Sequence, residues 1–246
     1  VNGVAADVNN PITLASGALL TLNDDGSFSY DPNDQFEGLA AGESDTDSFV
    51  YSVTDANGGT ASATAVITIN GLNDGPLPVA DDAITNEDTP VNVPLGGSDV
   101  DGTVDFVTVT KLPTSGQLVL ADGSAVVVGV DIPATLAAGI RFIPADDSSE
   151  NVTLCFTVTD NDGAVSAEEE VAITVNPVND DPLARDDTGA TNEDTVLDVD
   201  AANGVLSNDT DVDTDTLTVA SVNGVAADVN NPITLASGAL LTLNDD

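Results

Sequence analysis

Apolar and polar positions alternate along this chain in short bursts, not in helical stripes. SFVYSVTD (48–55), TASATAVITI (60–69), VDFVTVTKL (104–112), GQLVLADG (116–123), NVTLCFTVTD (151–160) and EEEVAITV (168–175) alternate or run apolar over a few residues, between Asp-Gly, Asn-Gly and Pro signals. That period is the mark of strands with one buried face. Two pairs of these runs predict hairpins, one between Phe49 and Ile69 around DANGG and one between Val152 and Val175 around DNDGA. Thr135 to Gly139 predicts at most a helical turn, and no segment sustains a helical period. The expected architecture is all-β: tandem antiparallel β-sandwich domains of immunoglobulin-like type, two sheets per domain, in a linear array.

The same pattern repeats on two scales. Val1 to Asp25 recurs unchanged at Val222 to Asp246, 221 residues later. Identity over 25 residues reads as one period of a longer array. Inside it, NED (86–88 and 192–194), VTD (53–55 and 158–160) and the linkers LNDGP (72–76) and VNDDP (178–182) recur at offsets of 106, 105 and 106 residues. The period is therefore expected to hold two related domains. Residues 1–76 read as the C-terminal part of the longer one, 77–182 as a complete middle domain, and 183–246 as the N-terminal part of the next longer copy.

Composition narrows the chemistry. Aromatics are 3% of the 246 residues, so the core must come from Val, Ile, Leu and Ala, which fits strands. Against 43 Asp and Glu stand only Lys111, Arg141 and Arg185, a formal net charge of -40. Such a surface repels phosphate and anionic headgroups, which excludes nucleic acid and membrane insertion as expected partners of this segment. The absence of His removes the commonest general base, and the single Cys155 reads as a small strand residue that can form no intrachain disulfide. Paired carboxylates could serve glycoside hydrolysis, but there is no Trp to stack sugars, and no enzyme is expected.

The carboxylates cluster at turns and linkers. They include Asp99, Asp101 and Asp105; Asp209, Asp211, Asp213 and Asp215; Asp55 with Asn57; Asp160, Asn161 and Asp162; and the linker groups Asn73, Asp74, Asp81, Asp82 and Asn179, Asp180, Asp181, Asp186, Asp187. Asp and Asn also initiate ordinary turns. Turn formation, however, never needs three or four carboxylates per loop with no counter-charge. Ca²⁺ takes six to eight hard oxygen ligands in adaptable geometry, and these loops offer only oxygen. The EF-hand spacing is absent.

The run SFVYSVTDANGGTASATAVITINGLNDGP resembles the end of a cadherin repeat. With NEDT, NDTDVDTDTLTV and LTLNDDGSFSYDP, the unit is similar to the VCBS or cadherin-like repeats of large bacterial RTX adhesins, more closely in the longer domain than in the middle one, which lacks DGSFSYDP. That resemblance implies Ca²⁺ at each junction. The first would use Asp45 or Asp47, Asn73, Asp74, Asp99, Asp101 and Asp160. The second would use Glu87, Asp146 or Asp147, Asn179, Asp180, Asp211 and Asp213. The function it implies is a stalk segment at the bacterial cell surface, stiffened by Ca²⁺ and contacting neighbouring repeats of its own array. The alternative is a Ca²⁺-dependent module that binds carbohydrate or a partner adhesin. Both junctions are expected to lack a ligand supplied by flanking repeats, and head-to-tail complementation between chains is a further expected contact.

Overall fold

A computed structural model of the chain describes residues 1–3 and 7–245; Val4 to Ala6 and Asp246, which belong to the two copies of the duplicated segment, lie outside them. The described residues form antiparallel sheets with a single short helix, and they divide into two compact units. One unit holds residues 1–146 and 150–175, the other 147–149 and 176–246.

The first unit contains two sandwiches. In the N-terminal one, β1 (Pro11–Thr13), β2 (Leu19–Leu22) and β3 (Phe28–Asp31) form one sheet, and the long hairpin β4 (Ser44–Thr54) and β5 (Thr60–Asn70) forms the other. The hairpin pairs in unbroken register from Ser44↔Asn70 to Thr54↔Thr60. Asp55 closes its turn by accepting the amides of Asn57 (2.9 Å) and Gly59 (2.7 Å). The alternation places Phe49 inward, where it joins Val1, Leu14 and Leu20 in a small core flanked by Tyr30, Tyr51, Ala65 and Ile67. Phe28 lies edge-on to Phe49 with ring centroids 5.7 Å apart.

The sandwich that follows is larger. β6 (Leu77–Val79) pairs with β9 (Gly96–Ser98). β7 (Ala83–Asn86), β10 (Val104–Lys111), β12 (Asp131–Pro133), β14 (Val152–Asp160) and β15 (Glu169–Asn176) form a sheet in the order β12-β10-β14-β15-β7. β8 (Val91–Asn92), β11 (Gln117–Val119) and β13 (Arg141–Ile143) form another in the order β11-β13-β8. α1 (Ala134–Ala137) is one turn, at the predicted place. Val107, Val109, Leu154, Phe156 and Val158 come from alternate positions of β10 and β14 and are completely buried, as the period-2 pattern requires. Cys155 is buried on the opposite parity, and burial, with Glu168 and Glu170 nearby, raises its thiol pKa above the ordinary value.

The second unit is sparser in regular structure. It has a two-stranded pairing of β16 (Ile233–Thr234) with β17 (Leu240–Leu241), a bridge between Leu183 and Thr210, and 3-10 turns at Ala201–Asn203 and Ala226–Asp228. Asp200 caps the first of these turns through the Asn203 amide, at 3.1 Å.

Candidate metal site at the acidic linkers

The linker after β5 runs Asn73-Asp74, and two loops of the following sandwich hold it. The Asn73 side-chain amide donates to Asp160 Oδ2 at 2.9 Å, and the Asp74 backbone amide donates to Asp101 Oδ2 at 3.1 Å. Asp160 ends β14, whose alternation turns its carboxylate inward, so that the residue is only 3% exposed. Its other oxygen accepts the amides of Asp162 (2.9 Å) and Ala164 (2.8 Å). Burial raises the Asp160 pKa, but the Asn73 bond and these amides outweigh it, and the net shift is downward. The group stays a carboxylate at neutral pH.

Asp99 and Asp101 come from the SDVDG loop after β9. Asp99 Oδ1 accepts the amides of Asp101 (3.1 Å) and Gly102 (3.0 Å), which folds the loop back on the Asp99 carboxylate, while Asp101 Oδ2 takes the linker amide of Asp74. Gly102 is needed there because a Cβ would run into the Asn161 side chain. Asn161 in turn clamps the loop by accepting the Thr103 amide at 2.7 Å. What remains is unbalanced. Asp99 Oδ2 and Asp101 Oδ1 are buried and accept no hydrogen bond among the described residues. Two desolvated carboxylate oxygens without donors are costly, commonly several kcal/mol each, unless a cation completes them. Protein cations are scarce, since the chain has only three and Lys111 lies beside Glu170 at 3.9 Å. Hard, anionic, oxygen-only donors suit Ca²⁺. Asn73, Asp74, Asp99, Asp101 and Asp160 are the residues that would hold it.

The second linker repeats the first. The Asp180 amide donates to Asp213 Oδ2 at 2.7 Å, as that of Asp74 does to Asp101. The Asp180 carboxylate also lies within 4.8 Å of those of Asp147 and Asp213. Of the pair Asp146 or Asp147 that the sequence leaves open, Asp147 is the member that approaches Asp180; of Asp211 and Asp213, both expected as ligands, Asp213 approaches it. Asp211 instead accepts the Asp215 amide at 3.3 Å, and Asp146 occupies the turn before Asp147. The Asn179 side chain donates to the Asp180 carbonyl at 2.8 Å. Glu87 is buried at 4% exposure in the turn after β7.

The remaining acidic residues have local roles. Asp47 accepts the Ser16 hydroxyl at 2.6 Å and the Tyr30 hydroxyl at 3.0 Å, and Asp45 accepts the Thr46 amide at 2.7 Å. Asp82 accepts the Ala172 amide at 2.9 Å and so ties the start of β7 to β15; Asp81 is exposed beside it. Asn208 donates to the Asp186 carbonyl (3.3 Å) and the Asp187 carboxylate (3.1 Å), fixing the segment that leaves the second linker. The clamping role of Asn161 went unassigned in the sequence. The only signal for it is the Asn that directly follows V-T-D.

Residues 2–71 match the family model of a bacterial cadherin-like domain, and residues 73–174 match that of a bacterial Ig domain. The two matches meet at the first linker. A search of the curated proteins gives no match. Among solved structures, CopC from Methylosinus trichosporium OB3b is 18% identical, over 42% of this chain and 94% of that one, with a TM-score of 0.24. The fibronectin(III)-like modules of Clostridium thermocellum CbhA are 15% identical, over 64% of this chain and 77% of that one, with a TM-score of 0.27. Domains 4 and 5 of the S-layer protein SbsC are 12% identical, over 69% and 94%, with a TM-score of 0.27. At those scores the solved structures have no bearing on function. Over residues 1–175 the family matches and the sheets together give a cadherin-like β-sandwich followed by an Ig-like one.

Proposed function

We propose that this chain is a spacer segment of a bacterial surface adhesin, in which Ca²⁺ held at the acidic linkers fixes the angle between successive sandwich domains. The supporting observation is the pair of buried, undonated oxygens on Asp99 and Asp101, beside a linker whose Asn73 and Asp74 are already bonded to Asp160 and Asp101. An ion there would be shared by the linker and two loops of the downstream domain. Without it, like charges face one another at short range, at a cost that low local dielectric increases. With it, the linker loses its freedom to swing. At the second linker, Asp180, with Asp213 from the following loop and Asp147 from the turn before β14, would supply the carboxylates. The resemblance to VCBS-type repeats of RTX adhesins supports the extracellular, adhesive setting, and the two family matches support a mechanical rather than a catalytic role.

Small-angle scattering tests the mechanism. The maximum dimension should grow and its distribution should narrow on adding Ca²⁺, and both should revert in chelator. Ca²⁺ should also raise the melting temperature, because a ligand at 100-fold its Kd stabilises by about 2.7 kcal/mol. Asp99→Asn with Asp101→Asn should remove most of that rise while keeping the fold in chelator. Unchanged scattering in Ca²⁺, or an undiminished rise in the double variant, would refute the reading.

A further inference from the structure

In a chain with 43 acidic groups and three cations, one stretch of the Ig-like sandwich is almost free of charge. Residues 124–140 (SAVVVGVDIPATLAAGI) carry a single ionisable side chain, Asp131, and Arg141 follows them directly. The Asp131 carboxylate is engaged by the Thr108 hydroxyl at 2.6 Å. The stretch lies well inside residues 73–174, which match the Ig-domain model, and it is anchored to the core of that sandwich. Val126, Ile132, Ala137 and Ile140 are buried there.

Between these anchors the backbone is held and the side chains are left outside. The amides of Val126 and Gly129 donate to the carbonyls of Leu118 and Val109, both at 2.9 Å. Val127 (57% exposed), Val128 (47%) and Val130 (52%) stand just before β12, and Leu136 (51%) stands just after it in α1. β12 is the outermost strand of its five-stranded sheet, and Phe106, also exposed, is paired with Pro133 beside it. The result is an apolar, nearly neutral edge. Other exposed apolar side chains of this sandwich stand among carboxylates: Ile84 is two residues from Asp82, Val100 lies between Asp99 and Asp101, and Val165 between Asp162 and Glu168.

We infer that this β12 edge, with Val127, Val128, Val130 and Leu136 at its centre, docks on the same edge of a second copy, so that two chains lie side by side. Charge selects the occupant. A cationic partner would be drawn to the carboxylates around the chain and not to a neutral edge. A neutral apolar edge on a polyanion suits a partner that is itself anionic outside its contact face. A second copy is such a partner, because two copies repel elsewhere and here have apolar area to bury. Side chains make the contact, since Pro133 lacks a backbone donor and Asp131 puts a charge on the edge, both of which discourage strand addition. One surface serves both copies, so the contact is isologous and closes at two. Association should strengthen with ionic strength as the surrounding repulsion is screened.

The contact uses no linker carboxylate, so it is measured in chelator at high salt, where the calcium reading can fail without affecting it. A patch of this size gives a weak contact, and the concentration range must reach the millimolar. Sedimentation of the 246-residue chain should show the mass rising with concentration and levelling at twice the monomer. Val128→Asp with Leu136→Asp, at exposed positions, should hold the chain monomeric with the parent's melting temperature. Ile84→Asp with Val165→Asp, exposed positions off the edge, should associate like the parent. A parent that stays monomeric at high salt leaves the edge to a different partner and overturns the inference. So does a mass that climbs past two copies, or association that survives the Val128 and Leu136 substitutions.

Discussion

One 25-residue sequence occurs at both ends of this chain, and the two copies share their local geometry but not their burial. In both, Asn9 and Asn230 take positive φ (64° and 62°) and donate their amides to Leu22 and Leu243 at 2.8 Å. In both, the Leu14 and Leu235 amides close the same turn on the Ala18 and Ala239 carbonyls, again at 2.8 Å. Yet Ala18 and Leu20 are completely buried, whereas Ala239 is exposed, Leu241 is only half-buried and Leu240 is 77% exposed. The first copy packs against Phe49 of β4 and Ala65 and Ile67 of β5. Turn chemistry therefore shapes the hairpin, and a partner sheet makes it a core. Isolated hairpins are marginal in water for the same reason.

The strongest way to erase this difference is to remove the partner. Phe49→Ala takes away the 2%-exposed ring that closes the small core, and should cost about 3–5 kcal/mol. Amide exchange at Leu14 and Leu20 should be slow in the parent and should then approach that at Leu235 and Leu241. If the first copy keeps its protection, the asymmetry has another origin. A matched pair of truncations is the next test. Leu20→Ala should cost about 2–5 kcal/mol in denaturant unfolding, while Leu241→Ala, the same change in the same local sequence, should stay near about 0.5 kcal/mol. Equal effects would mean that both copies are packed alike.

The contrast also marks what the sequence could reveal. The β4–β5 and β14–β15 hairpins were legible because V-T-D followed by a Gly-containing turn and a β-branched run determines both strands locally. The linker bonds were legible in part. The order Asn-Asp linker, then Asp-x-Asp loop, pointed to Asp74 with Asp101 and Asp180 with Asp213, but only the fold separates Asp147 from Asp146, and the sequence expected Asp211 beside Asp213, where only Asp213 approaches Asp180. The role of Asp47 was not legible. Its hydroxyl partners Tyr30 and Ser16 are 17 and 31 residues away, and nothing local in SDTDSF distinguishes it from a linker ligand. Residues 184–200 form no strand, although Leu197 and Val199 alternate with Asp198 and Asp200, because alternation makes a strand only where another strand offers hydrogen bonds.

The smallest effect concerns Ser16, whose hydroxyl donates to Asp47 at 2.6 Å, while its duplicate Ser237 only accepts the Ala239 amide at 3.4 Å. Ser16→Ala should cost about 1 kcal/mol and Ser237→Ala nothing measurable, in keeping with a single net hydrogen bond. The pH profile gives the sign. Burial raises the Asp47 pKa, but the Ser16 hydroxyl, the Ser48 amide and the Tyr30 hydroxyl prevail, leaving it below the ordinary 3.8. Its contribution is thus complete above that value and is lost as pH falls through the depressed pKa. Tyr30 runs the other way. Burial and then the Asp47 bond push it up to about 12 from 10.0, so its contribution holds below pH 10 and is lost as pH climbs toward 12. Ser16→Ala should therefore move the acid limb of the melting profile upward and leave the alkaline limb in place, while Tyr30→Phe should move the acid limb upward and abolish the alkaline loss. Ser237→Ala should move neither, because among the described residues Ser237 meets the Ala239 amide and no carboxylate.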